Sequence, residues 1–320
     1  MKQLLVAAFY AFVPLEESQR EFLMERLPIL AREGSVLGSV LVAEEGVNGT
    51  ISGPQQAVED LLVQLRQSLQ LGESHYERLE IKRSWAEKPV FRRFKARRKK
   101  EIVTIGADGV DPRTTVGTYV DPKDWNVLLD DPETLVIDTR NSYETTIGTF
   151  NGAIDPGTDS FRDFPRWAEQ NLKPLLKENG QKRVAMFCTG GIRCEKASSY
   201  LQQQGFGEIH HLRGGILSYL EQVPEQESRW RGECFVFDQR VALNHQLEPG
   251  KHCLCHACGF PVSPEQRSLS SYIKGVQCVH CVDRFSDADR ERFAMRQRQI
   301  DAAAKHESTR AIKSSTSIQS

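Results

Sequence analysis

The stretch Arg183-Val-Ala-Met-Phe-Cys188-Thr-Gly-Gly-Ile-Arg193-Cys194-Glu-Lys-Ala-Ser-Ser-Tyr-Leu decides how the middle of this 320-residue chain folds. A short apolar run ends at a cysteine. A glycine-containing loop follows, closed by an arginine, and an amphipathic helix pattern starts at once. These residues predict a strand, a tight turn and a helix, with the Cys188 sulfur at the helix N-terminus and a guanidinium at the end of the loop. Amide donors and the helix dipole at that position favour a thiolate over a thiol. A lone cysteine is most often a small buried apolar residue. A cysteine at a strand-to-helix turn, followed by Gly190, Gly191 and Arg193, is better explained as a reactive thiol, with Thr189, Gly190 and Gly191 forming an anion-binding loop.

On either side of this stretch, short apolar strands alternate with helices. Helices are expected over 122–129, 161–178, 193–204 and 215–222, and strands over 134–138, 183–187 and 209–212. The alternation predicts a doubly wound parallel sheet with both faces covered. Functional loops then gather at the strand C-terminal ends, where Cys188 lies. Upstream, the pattern is strand 2–11, helix 18–33 with Phe22, Leu23, Leu27 and Leu30 at helical spacing, and strand 35–43. A turn over 45–49 (on the strength of Asn48-Gly49), strand 50–52, helix 54–69 and strands 79–82 and 101–105 follow. The order β-α-β-β-α-β is the ferredoxin-like, or acylphosphatase-like, arrangement. The chain is therefore α/β, with a first domain over 1–107, a linker at 108–118 and a second domain over 119–225. A Cys-rich and then helical region occupies 226–306, and a polar tail at 307–320 is expected to be disordered.

Hydrophobic residues make up 39% and charged residues 27% of the chain, ordinary values for a soluble globular protein. The formal net charge is −1, so any nucleic-acid contact must come from a local patch. No apolar run reaches the ~18 residues of a membrane span. Residues 4–15 are nearly uncharged, like a short signal-peptide core. Only Lys2 precedes them, no small-x-small cleavage site follows, and the run leads into a helix pattern, so it reads as a buried first strand. The chain is then cytoplasmic, and its eight cysteines are thiols or metal ligands.

Cys255-His-Ala-Cys258 and Cys278-Val-His-Cys281 are two C-x-x-C knuckles at the spacing of a structural zinc site. Cys253, His252, His256 and His280 are spare candidates. Residues 88–100 hold eight cations (Lys88, Arg92, Arg93, Lys95, Arg97, Arg98, Lys99 and Lys100), no anion and two interleaved phenylalanines. This density reads as a phosphate-backbone contact rather than a solvated connection. Asp138 is expected to bond neighbouring backbone, Glu144 to be a surface or loop residue, and one of His210 and His211 to face the core. Cys234 is either core or site. No G-x-G-x-x-G follows a strand, so no nucleotide cofactor is expected.

Cys188-Thr-Gly-Gly-Ile-Arg193 resembles the Cys-x-x-Gly-x-Arg loop of the rhodanese fold, which holds a cysteine persulfide. It is one residue too short for the phosphatases of the related fold. The resemblance extends over Glu44–Gly53, Glu101-Ile-Val-Thr, 136–144, 147–150, 188–198, His211-Leu-Arg-Gly-Gly-Ile216 and Gly232-Glu-Cys-Phe-Val-Phe-Asp-Gln-Arg240-Val. Together these are similar to the rhodanese-domain tRNA uridine hydroxylases. The resemblance implies a rhodanese-like second domain and an oxygen-dependent enzyme making 5-hydroxyuridine at the tRNA wobble position. Cys188 would be its essential cysteine, tRNA its partner and molecular oxygen its co-substrate. On the residues, the Cys188 thiolate or its persulfide would add to uracil C6, with Arg193 and the Gly190 and Gly191 amides stabilising the anion. Cys194 either packs or resolves an oxidised sulfur. Two other functions compete: sulfur transfer from a Cys188 persulfide, and a non-catalytic RNA-binding module.

Overall fold

A computed structural model describes residues 3–71 and 79–316, with backbone alone from 304. Residue 2 of the expected first strand and 317–320 of the expected tail lie outside the described residues. The chain divides into two compact units, 1–250 and 251–320.

The first unit opens with β1 (Leu4–Phe12), α1 (Glu17–Glu33), β2 (Leu37–Ala43), β3 (Gly46–Gly53), α2 (Gln55–Ser68), β4 (Glu80–Ala86) and β5 (Phe94–Arg98). The sheet order is β4-β1-β3-β2-β5. The first four strands pair antiparallel in the ferredoxin-like order, and β5 adds parallel to β2. Strand alternation sorts β1. Leu5, Ala7, Phe9 and Ala11 pack with Leu23, Leu27 and Ala31 of α1 and Val58, Leu61 and Leu65 of α2. Tyr10 and Phe12 point to the other face, beside Ile102.

Three expectations change here. Phe22 is 52% exposed, because Leu23, Leu27 and Ala31 make the inward stripe. The β2–β3 turn is Glu44-Glu45 rather than 45–49, and Asn48-Gly49 lie within β3. Residues 101–105 form no strand, because β5 already occupies the β2 edge. Ile102 is tied by side chains instead: its N–H donates to Glu45 Oε1 at 2.6 Å, and its carbonyl accepts from Asn48 Nδ2 at 2.9 Å.

The parallel sheet is built from β6 (Thr118–Val120), β7 (Thr134–Asp138), β9 (Arg183–Phe187) and β10 (Glu208–Leu212), in the order β6-β10-β9-β7. Between them lie α3 (Trp125–Asp130), α4 (Ser142–Thr145), β8 (Gly148–Phe150), α5 (Phe164–Trp167), α6 (Lys173–Glu178) and α7 (Ile192–Gln203); α8 (Gly215–Gln222) follows β10. Alternate residues of β7 and β9 feed two cores. Leu135, Ile137, Val184 and Met186 face one, while Val136, Ala185 and Phe187 face the other. The single helix expected over 161–178 is a 3₁₀ turn, α5, a π turn at Ala168–Leu172 and α6. Pro165 and Pro174 each remove an amide donor from that run, which breaks its regularity. The unit ends with β11 (Trp230–Gly232), paired to β8, and with β12 (Cys234–Phe235) and β13 (Ala242–Leu243). Residues 226–250 thus pack in this unit rather than with the Cys-rich segment.

The second unit holds β14 (Cys253–Leu254), β15 (Pro261–Val262), α9 (Pro264–Arg267) and α10 (Asp287–Thr316). The expected disordered tail is helical as far as Thr316. Among the described residues no helix is long and apolar enough to cross a membrane.

One ion cluster joins the two sheets of the first unit. Lys196, on α7 and 1% exposed, donates to Glu45 at 2.8 Å and Glu101 at 2.5 Å. Removing one partner of a buried ion pair leaves the others uncompensated, at a cost of several kcal/mol. Lys196→Met is expected to lower unfolding stability by about 3 kcal/mol. Urea denaturation reads this as a lower midpoint at unchanged slope; an unchanged midpoint contradicts it.

Candidate active site

Cys188 lies where β9 ends and α7 has not begun. Its side chain is fully buried, and the Gly191 amide donates to its sulfur at 3.1 Å. Burial pushes the thiol up. The Cys194 thiol, the Arg193 charge and the Cys194 and Arg193 amides outweigh it and hold the Cys188 thiol down at about 6. At neutral pH this sulfur is a thiolate. Cys194 moves the other way, pushed well up by burial and by the neighbouring sulfur. It stays a thiol, 3.5 Å from Thr139 Oγ1. A protonated neighbour that donates to a thiolate is a charge-assisted hydrogen bond.

The loop is braced from two sides. Glu144, expected near the surface, is fully buried and forks onto Arg193, with Nη1–Oε1 at 2.6 Å and Nη2–Oε2 at 2.8 Å. The same carboxylate accepts from Thr189 Oγ1 at 3.3 Å. Burial pushes the Glu144 carboxyl up, but Arg193 and Arg140 outweigh this and keep it below the ordinary range. Arg193 therefore reaches Cys188 through its field, while its fork is spent on Glu144. A reciprocal capping arrangement with Asn141 sets Glu144 in place. That helix start follows from a buried pair, Asp138–Arg140, with the Arg140 guanidinium also over the Trp230 ring at 5.2 Å. Asp138 accepts the Arg140 amide at 3.1 Å, the backbone bond expected of it.

On the other side, the first amides of α8 hold the loop carbonyls: Ile216 N–H to Cys188 at 2.9 Å and Leu217 N–H to Thr189 at 3.1 Å. A Cβ on Gly215 would lie 2.4 Å from the Cys188 carbonyl, which explains the Gly214-Gly215 pair. Of the expected anion donors, Gly191 reaches the sulfur directly; the others are the Arg193 and Cys194 amides rather than that of Gly190.

Above the sulfur is a cavity of about 410 Å³. Its walls come from β1, β3 and β4 (Tyr10, Asn48, Lys82), from the Cys188 loop and from Val236, Phe237 and Arg240. Arg240 is fixed by a bidentate pair with Asp238 and donates to Ser84 Oγ at 2.8 Å. The Gly232–Val241 segment is thus one wall of the site. The volume falls in the range of small-ligand pockets and has room for a nucleobase.

The basic run is not at this cavity. Arg92, Arg93, Arg97, Arg98, Lys99 and Lys100 are exposed and Lys95 is half-buried, on or beside edge strand β5. That edge is two strand spacings, about 10 Å, from β3, the nearest strand that lines the cavity. Arg98 pairs with Glu17. Lys95 is held below the ordinary ammonium range, first by the Arg93 charge.

His211 is buried, its ring tilted against that of Tyr119 with centroids 4.2 Å apart, and His210 is half-buried. Cys234 belongs to the core, its thiol pushed up to about 12 by burial. In the second unit Cys255, Cys258, Cys278 and Cys281 bring their sulfurs within 4.8 Å of one another. Three pairs stand at 3.7–3.9 Å. Four sulfurs about 2.3 Å from one ion sit about 3.8 Å apart, so this set can hold a tetrahedral metal such as zinc. Cys253, His252, His256 and His280 are not in the group.

Two family models match this chain: UPF0176 acylphosphatase like domain at 4–102 and Rhodanese-like domain at 121–222. It is 77% identical over 301 residues to a protein of Parasynechococcus marenigrum (strain WH8102) named tRNA uridine(34) hydroxylase, covering 94% of each chain. A Synechococcus sp. (strain CC9605) protein of the same name is 78% identical over 299 residues, 93% of this chain and 91% of that one. A Prochlorococcus marinus (strain MIT 9313) protein so named is 57% identical over 300 residues, 94% and 95% of the two chains. This chain belongs to the tRNA uridine(34) hydroxylase family. Glu144 is misplaced by reasoning on the sequence; Asn141-x-x-Glu144 after a strand end is a capping-box pattern that marks it.

The electrostatics make a direct expectation. Alkylation of Cys188 by iodoacetamide should be half-maximal near pH 6, as the thiolate forms on passing that value. Peptide mass spectrometry over pH 5–9 reads it; a midpoint near 8.5, the ordinary thiol value, contradicts it.

Proposed function

We propose that this chain hydroxylates C5 of the wobble uridine of tRNA, with Cys188 as nucleophile and molecular oxygen as co-substrate. The observation that carries the chemistry is an ionised sulfur at the floor of a base-sized cavity. The Cys188 thiolate adds to C6 of the uracil, and the C5–C6 electron pair moves to C5 and its conjugated carbonyl. C5 bonds to oxygen, and two electrons and two protons from an external reductant release the outer oxygen atom as water. Loss of the C5 proton restores the double bond and expels the thiolate. The Gly191, Arg193 and Cys194 amides receive that leaving sulfur in the arrangement they already hold.

Exposed cations at β5, two strands beyond the cavity wall, suit the phosphate backbone of the same tRNA, where they would hold the anticodon arm while the base enters the cavity. A substrate of this kind is in keeping with work in the cytoplasm. Sulfur transfer through a Cys188 persulfide is the second reading, favoured by the short Cys188–Arg193 loop. Nucleoside mass spectrometry of tRNA from a deletion strain complemented with Cys188→Ala separates the two. Loss of 5-hydroxyuridine derivatives supports hydroxylation, loss of a thiolated base supports sulfur transfer, and full 5-hydroxyuridine overturns the role of Cys188.

Zinc is the ion we assign to the four cysteines of the second unit, where it would tie the two knuckles together. Purified protein is expected to carry about one zinc per chain by elemental analysis. Cys258→Ser should lose it and lower the thermal midpoint; a metal-free protein of unchanged stability contradicts this.

A further inference from the structure

The first turn of α7 carries Arg193, Cys194, Glu195 and Lys196, all buried. Arg193 is taken by Glu144, and Lys196 by Glu45 and Glu101. Among the described residues no cation pairs with Glu195. Its carboxylate accepts instead from two phenols, Tyr10 at 3.0 Å and Tyr119 at 2.5 Å. Burial pushes this carboxyl up to about 7; the two phenols pull it down, and the Glu80 and Cys188 charges push it further up. It therefore changes charge in the working pH range, the property a group that holds and releases a proton needs.

Tyr10 connects that carboxyl to the reaction space. It lines the cavity together with Cys188. A Cβ on Gly191 would lie 3.0 Å from the Tyr10 oxygen, so the phenol rests against the loop that carries the sulfur. Gly191 is also at φ +100°, a conformation that glycine adopts freely. Any side chain there would displace Tyr10. Tyr10 comes from β1 and Glu195 from α7, so the two sheets meet at this contact.

We propose that Tyr10 and Glu195 are the proton-transfer pair of the cavity, with Tyr10 touching the base and Glu195 holding the proton behind it. The proposal rests on thiolate addition at C6. In the last step the C5–H bond breaks and its electron pair becomes the C5–C6 double bond, while the C6–S bond breaks and its pair returns to Cys188. The C5 proton passes to the Tyr10 oxygen as the Tyr10 proton passes to Glu195, which later releases it to water. The groups that set the charge state of Glu195 are Tyr119, Tyr10, Glu80 and Cys188, and the titratable and charged groups packed next to them are Arg213 over the Tyr119 ring and His211 against that ring.

Without oxygen the same steps run in reverse and forward, and exchange the C5 hydrogen. The full chain is incubated anaerobically with tRNA in D₂O, and uridine 34 is analysed for a gain of one mass unit. Wild type is expected to exchange, rising as Cys188 ionises near pH 6 and falling above about 7 as Glu195 loses the proton that C5 must receive. Glu195→Gln and Tyr10→Phe should each slow exchange and hydroxylation by about 100-fold or more, in kcat rather than KM. The Glu195→Gln profile should also lose its fall above about pH 7. Both variants should still alkylate at Cys188 at neutral pH, which a collapsed site would not. Exchange by Glu195→Gln at the wild-type rate overturns the proposal, and so does loss of Cys188 alkylation together with exchange. Exchange by Cys188→Ala at the wild-type rate, or none by wild type, overturns thiolate addition itself and this pair with it.

Discussion

The buried fork between Arg193 and Glu144 is the constraint on which the site depends. Two opposite charges with almost no water around them stand only because each satisfies the other with two hydrogen bonds. Glu144 sits where it does because Asp138 and Arg140 fix the turn after β7, and Thr189 hangs from the same carboxylate. The loop between Cys188 and Arg193 thus has its two ends held by one acid. With Arg193 placed, its charge and the amides at the start of α7 overcome the cost of burying an ionised sulfur. Without that anchoring, a fully buried cysteine would be an inert thiol, as Cys234 is.

The N-terminal sheet completes the cavity rather than serving as a separate module. Tyr10, Asn48 and Lys82 reach it from three neighbouring strands. Glu45 and Glu101 clamp α7 through Lys196, directly behind the cysteine loop. The chain between Gly232 and Val241 supplies the remaining wall through Asp238–Arg240 and its bond to Ser84. A rhodanese sheet alone would leave the sulfur at an open edge; here three segments far apart in sequence enclose it.

Much of this was readable from residue patterns. Apolar strands bounded by turns located β7 and β9, and Gly214-Gly215 marked the start of α8, because those signals are local. The Cys188 loop was readable because sulfur, glycines and arginine lie within six positions. Glu144 was not, since its partner is 49 positions away and nothing local shows that a carboxylate after a strand will be buried. For the same reason nothing local marks Glu45 and Glu101 as the partners of Lys196. The Asn48-Gly49 pair was misleading, because Asn-Gly is a strong turn signal. Its asparagine is instead used to hold Ile102, and its glycine lies across from Phe9 on β1. The basic run was recognised, but not that it builds the outermost strand.

Trapping offers the most direct check that the Cys188 sulfur attacks the base. A tRNA carrying 5-fluorouridine at position 34 presents a C6 made more electrophilic by the fluorine, so thiolate addition builds up an adduct at C6 that a rapid acid quench preserves. Digestion after anaerobic incubation should yield a Cys188-containing peptide heavier by one fluorinated nucleotide. If the protein binds this tRNA and every cysteine peptide keeps its unmodified mass, the sulfur is not the nucleophile and the account is contradicted.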